Sequence, residues 1–246
     1  MGSLVAAEWL KLRTTRFLWA TVPAVVLLTA VAVAGLALSS EAAGVALLEP
    51  TEGVRQAALH LTSTGAVLVI VLGIVLTAGE YRTQTATDTF LTTPRRGRVL
   101  AAKLAIGGIL GLALGALGAV GGLPVAWLLF EAEGVSFPAG EAEVWLTLGG
   151  VVLYAVLFGI LGVAFGSLVR NQVVAIVSAL TFVLLVEQLL TQTADSVAKW
   201  LPGNAGAAVV RTPGEFLEPG AAAGLLLAYA LAIALAGIVV VARRDA

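Results

Sequence analysis

Few residues in this chain are placed to do chemistry, and most of those stand in or beside long apolar runs. Glu187 is the one acid within such a run, fourteen residues into the stretch that begins near residue 173. At ~1.5 Å per helical residue that is about 21 Å along the axis. An ionisable group at such depth is a candidate to face a bundle interior or a water-filled path. Gln188 extends the polar patch, so the pair are the candidates for a translocation path. The competing reading has Glu187 simply ending its helix at a wet boundary. His60, the sole histidine, sits at the edge of another apolar run, and no nucleophile-and-base arrangement surrounds it. The chain has no cysteine, which excludes disulfides and thiolate metal sites, and no His or carboxylate cluster has ligand spacing. The G-x-x-x-x-G-K-[ST] phosphate loop is absent. No catalytic, cofactor-binding or metal residues are therefore expected, and the chain reads as a non-enzyme.

The elements that must position these residues follow from hydropathy. Hydrophobic residues make up 59% of the 246 and charged ones 12%, against about 45–50% and about 25% in soluble domains. Runs near the ~20 residues needed to cross a bilayer fall at about 17–38, 61–79, 104–130, 144–168, 173–190 and 220–242. They are continuously apolar, which favours helices over the alternating strands of a membrane barrel. The expected fold is an all-α membrane protein: a single domain over 1–246, with six transmembrane helices and both termini cytoplasmic.

Charge sorting supports that topology, since cytoplasmic loops are enriched in Lys and Arg. Lys11, Arg13, Arg16, Arg82, Arg95, Arg96, Arg98, Lys103, Arg170, Arg243 and Arg244 fall inside, and only Arg55, Lys199 and Arg211 outside. The acids Glu41, Glu49, Glu52, Glu131, Glu133, Glu141, Glu143, Asp195, Glu215 and Glu218 fall outside. The net charge of −1 hides this polarity. No basic domain follows a phosphate backbone, so nucleic acid is not an expected partner. Eleven Arg against three Lys in an Ala- and Gly-rich chain point to a bacterial source and a multi-pass protein of its cytoplasmic membrane.

The segment 80–103 is a polar, Arg-rich island between two apolar runs. Thr85, Thr87 and Thr89 offer capping hydroxyls, Pro94 stops a short helix, and Ala86 and Phe90 lie four apart on one face. A loop that only sets topology accounts for Arg95, Arg96 and Arg98, but not for the apolar Phe90 and Leu91. A short docking helix accounts for both. Ahead of the first run, residues 4–16 are expected to form an interfacial amphipathic helix, with Val5, Trp9 and Leu12 on one face and Glu8, Lys11 and Thr15 on the other.

Within the third run Gly107, Gly111 and Gly115 are spaced by four, as are Gly118 and Gly122, and in the fourth run Gly162 and Gly166. This spacing lets helix backbones approach closely, within one subunit more readily than between two. Pro124 is placed to kink the third helix. Residues 191–219 are too apolar for a plain solvated loop and are expected to dip back, re-entrant, into the outer leaflet against the bundle.

Two stretches resemble the membrane permease subunits of type 2 ABC transporters, chiefly bacterial exporters. AEWLKLRTTRFLW resembles the interfacial helix before that family's first span. GEYRTQTATDTFLTTPRRGRVLAAK resembles the loop between its second and third spans, with Glu80, Thr85, Leu91, Pro94, Arg96 and Lys103 at the matching positions and Gln84 where many relatives carry Gly. The resemblance implies a transport subunit that pairs with a second permease copy, as a homodimer, and with separate ATPase subunits that hold the ATP and Mg. It implies docking through Glu80, Tyr81, Arg82, Thr85, Thr87, Asp88, Phe90, Leu91, Pro94 and Arg96, and efflux of a drug-like, lipidic or other amphiphilic substrate. Two rivals stand beside it: an ion-gradient carrier with Glu187 as coupling group, and a non-transporting scaffold.

Overall fold

The computed structural model describes residues 2–14, 21, 23–27, 31, 50–82, 96–132, 136–169, 171–211 and 217–243, and the described residues contain helices and no strand. The helices are α1 (Gly2–Thr14), α2 (Pro50–Arg82), α3 (Arg96–Ala132), α4 (Ala142–Leu168), α5 (Gln172–Thr193), α6 (Asp195–Ala198), α7 (Pro202–Val209) and α8 (Pro219–Arg243). Within α5, residues Phe182–Val186 form a π-helical turn. Among the described residues four helices are long and apolar enough to cross a bilayer: Gly97–Pro124, Ala142–Leu168, Gln172–Thr193 and Pro219–Val239. The expected run at 61–79 lies inside the longer α2. Most of the run at 17–38 lies outside the described residues, and 21, 23–27 and 31 are helical.

α4 is the centre of the bundle, packed against α2, α3 and α8. It is apolar all round, as suits a helix packed against three others with its remaining face toward lipid. Phe158 (1% exposed) and Tyr154 stack there with ring centroids 4.2 Å apart. Two helices reach α4 by backbone contact. A methyl on Gly111 of α3 would strike the Ala155 carbonyl, and one on Gly162 of α4 would strike the Ile70 carbonyl of α2. Gly107 and Gly115 face Gly159 and Ala155 on α4, Gly166 faces Ile74 and Thr77 on α2, and Gly118 and Gly122 are buried. At Gly107, Gly111, Gly115, Gly162 and Gly166 the neighbouring atoms belong to other helices of the same chain. Thr77 adds a polar tie, its hydroxyl donating to the carbonyls of Gly73 (3.0 Å) and Val163 (3.1 Å), the side-chain bonding that suits helix contacts in lipid. Pro124 is carried within the uninterrupted α3.

α5 is the opposite case, 17% buried where α4 is 61%. Asn171 starts it, its side-chain oxygen accepting from the amides of Val173 and Val174 at 3.0 and 3.2 Å, an N-cap that satisfies two otherwise orphaned donors. Val173, Val174, Val177, Leu184, Leu185 and Leu189 point outward, as for a helix bounded by lipid or by another subunit. Trp9 stands exposed at one end of the molecule and Trp127, Trp145 and Trp200 at the other. From Lys103 to Trp127 along α3 is about 36 Å at ~1.5 Å per residue, close to the ~30 Å hydrocarbon core, so these tryptophans suit the two interfaces.

Candidate functional site

Two polar centres are built into this apolar bundle, one at each end. At the α1 end, α1 lies against α3 on an apolar seat of Val5, Leu12, Ile106 and Leu110. Above it four charged side chains from three helices close a ring. The Lys103 ammonium on α3 meets Glu8 Oε2 at 2.8 Å and Glu80 Oε1 at 2.8 Å. Lys11 Nζ meets Glu8 Oε1 and Glu80 Oε1, each at 2.9 Å. Lys103 also donates to the carbonyl of Leu76 at 3.4 Å. The side chains of Lys103 and Glu8 are 5% and 6% exposed and that of Lys11 is 47%. Burial pushes the Glu8 carboxyl up, but the Lys103 charge and the hydrogen bonds from Lys103 and Lys11 outweigh it, and the group sits below the ordinary carboxylate range. Burial likewise lowers Lys11, and the hydrogen bonds to Glu8 and Glu80 with their charges more than reverse it.

Glu8 was expected on the solvent face of α1 with Lys11, opposite Val5, Trp9 and Leu12. The structure turns Glu8 inward beside Leu12 and leaves Trp9 and Leu10 exposed. At about 100° per residue, positions 5, 8 and 12 fall within one ~60° arc, and the ammonium of Lys103 is what makes burial of an acid there tolerable. The sequence places Glu8 and Lys11 on the polar face of an amphipathic helix and Lys103 among the orienting charges and the positions matching the family loop, and none of these readings brings the three together. The usable signal was the position of Lys103, two turns inside α3 and past the polar island.

Of the docking residues expected in 80–103, Glu80 is in the ring, Tyr81 is half-buried and Arg82 is exposed, and all three still belong to α2. Arg96 opens α3, and Arg98 beyond it is exposed. Thr85, Thr87, Asp88, Phe90, Leu91 and Pro94 lie outside the described residues.

At the far end Glu187 follows the π-turn of α5 and is 5% exposed. Its carboxylate accepts from the backbone amide of Gly203, the second residue of α7. α7 has no cap of its own, because Leu201 precedes it and Pro202 opens it. Glu187 is thus an N-cap supplied from another helix, satisfying an orphan donor and facing the positive end of the helix dipole. Asn204 reinforces it, donating to Thr191 Oγ1 at 3.0 Å and to the Ala198 carbonyl at 2.9 Å, and Tyr229 of α8 donates to the Trp200 carbonyl at 2.8 Å. Residues Ala205 to Val210 are buried, with Gly206 against the Tyr154 ring and Gly150 against the Val209 carbonyl. Gln188 is exposed on the neighbouring face.

Among the described residues no group of three His, Cys, Asp or Glu side chains is placed to hold a metal ion. The described residues form several helices long and apolar enough to cross a bilayer, with the two polar centres near helix ends. The chain belongs to the ABC-2 transporter permease family: the family model described as "ABC-2 family transporter protein" matches residues 4–188, from α1 through the π-turn of α5. No curated protein matches the chain.

Proposed function

We propose that the chain is the membrane-spanning permease subunit of an ATP-driven exporter, working beside a second copy of itself in a bacterial cytoplasmic membrane, with α1 and the 80–103 segment on the cytoplasmic side. A separate ATPase docks on that segment and supplies the energy. The family match across residues 4–188 carries the reading, since it takes in α1, both helices flanking 83–95 and the charge ring. Support comes also from the exposed Arg82 and Arg98 at those flanks, which fit the enrichment of basic residues on the cytoplasmic side. The Gly- and Ala-rich bundle suits an amphiphilic cargo. Glu187 acts on the exit path through α7, the helix it caps.

The docking surface is tested with Phe90→Asp. The expected outcome is loss of the ATPase from the purified complex, because the change buries an unpaired charge in an apolar contact. An intact complex with coupled hydrolysis would remove Phe90 from the interface. Sidedness is read from cysteines introduced singly at Gly97 and Gly140, both in open surroundings. They should react with an impermeant maleimide from opposite sides of the membrane, with no background because the chain has no native thiol.

A further inference from the structure

The ring at the α1 end is more than its stability requires. Buried ion pairs are often replaceable by apolar residues with no loss of stability, and the neighbouring contact of Val5 and Leu12 with Ile106 and Leu110 shows that apolar packing is used here too. What the charges add is direction. The Lys103 ammonium donates to Glu8 on α1 and to the Leu76 carbonyl on α2, and it pairs by charge with Glu80 one turn further along α2. Lys11 closes the circuit from Glu8 back to Glu80. Among the described residues the ring holds two acids and two ammoniums. If α1 slid or rotated by a single residue, Glu8 would be left buried without Lys103, and Lys103 would keep only its partners on α2. An apolar seat alone would let α1 roll.

The position of the ring gives that rigidity a use. Glu80 stands just before residues 83–95, and Lys103 stands two turns into the helix that follows them. The helices on either side of the segment are therefore fastened to each other and to α1 at one point. We propose that Lys103 is a positioning residue for energy coupling: it joins α1, the end of α2 and the start of α3 into one lever, so that force applied to the 83–95 segment moves α1. This rests on the reading that an ATPase docks on that segment.

The lever is tested on the full-length chain in lipid nanodiscs, alone and with the ATPase that co-purifies with it, by pulsed dipolar spectroscopy between spin labels on introduced cysteines. A pair at Ala7 and Gly97, exposed on α1 and α3, reports the joint itself. A second pair, at Ala7 and Gly140, reports α1 against the far end. With Lys103 present, the first pair should give one narrow distance unchanged by a non-hydrolysable ATP analogue, and the second pair should shift with the analogue. In Lys103→Met the first distribution should broaden at least twofold and the second shift should disappear while the ATPase stays bound. Lys103→Arg, which keeps the charge, should restore both. Glu80→Gln serves as the milder break if Lys103→Met does not fold. An unbroadened first pair in the variants overturns the joint, and an undiminished second shift overturns the coupling role. If the second pair fails to respond even with Lys103 in place, the coupling role is overturned, the first pair still decides whether the joint exists, and Phe90→Asp decides separately whether docking uses 83–95.

Discussion

Glu8 and Glu187 are buried to nearly the same depth, 4% and 5% exposed, at opposite ends of the bundle, and they are held by opposite means. Glu8 is met by two ammoniums. Glu187 accepts from the backbone amide of Gly203 at the start of a short helix. The first arrangement needs the full charge, because removing it would leave Lys103 buried beside one acid instead of two. The second needs an acceptor more than a charge, because amides can be satisfied by a neutral oxygen and the dipole term is worth only about 0.3–1 kcal/mol. The same residue type thus serves as an electrostatic bolt at one end and as a hydrogen-bonding cap at the other.

The largest effect expected from breaking this contrast is at Glu8. Glu8→Ala should cost about 3 kcal/mol, the low end for breaking a buried pair, since Glu80 still meets Lys103. Glu8→Gln should recover little of it. Thermal unfolding of the purified chain would measure both, and a Gln variant as stable as the parent would show that the ring does not depend on charge. Glu187→Ala should come next, at about 1–2 kcal/mol for a lost cap, concentrated in α7 and visible as faster amide exchange from Ala205 to Val209. Glu187→Gln should cost only a few tenths, because its carbonyl can still accept from Gly203. Equal losses for Gln at the two sites would erase the distinction.

The smallest effect lies in pH over the ordinary range. The folded-state carboxyl of Glu8 is held below its usual value, so its contribution is fully present above the ordinary carboxylate pKa of ~4.3 and is lost as pH falls through the lower folded value. Lys11 is held above its usual value, so its contribution is fully present below the ordinary ~10.4 and is lost as pH rises through the higher folded value. Between about pH 5 and 10, the Ala7–Gly97 distance should not change. A transition near neutrality would mean that another group controls the joint.

Much of the bundle was legible in the chain because bilayer crossing imposes a local rule. The runs at 104–130, 144–168, 173–190 and 220–242 lie within α3, α4, α5 and α8, and the glycine spacing of α3 and α4 marked where backbones touch. Glu187 was conspicuous as the lone acid in an apolar run. What it touches was not, because its partner is the backbone amide of Gly203, which carries no side-chain signature. The ring was hidden for a different reason. Glu8 and Lys103 are separated by 95 positions and Lys11 and Glu80 by 69, and a Glu on an amphipathic helix looks the same whether its face meets water or a buried ammonium. Sorting charges by side explained Lys103 well enough to conceal its second role.

The π-turn at Phe182–Val186 also constrains how this chain can change. A π-turn holds one more residue than the α-helical turn it interrupts, so deleting any one of those five positions would restore a regular helix. Winding the same five residues as regular α-helix without a deletion would instead rotate everything beyond by about 100°, carrying Glu187 away from Gly203. A carboxylate swung toward the exposed side of α5 would face hydrocarbon, where an ionised side chain is costly. The irregular turn therefore sets the register of the acid, and it can be regularised in place only by removing a residue.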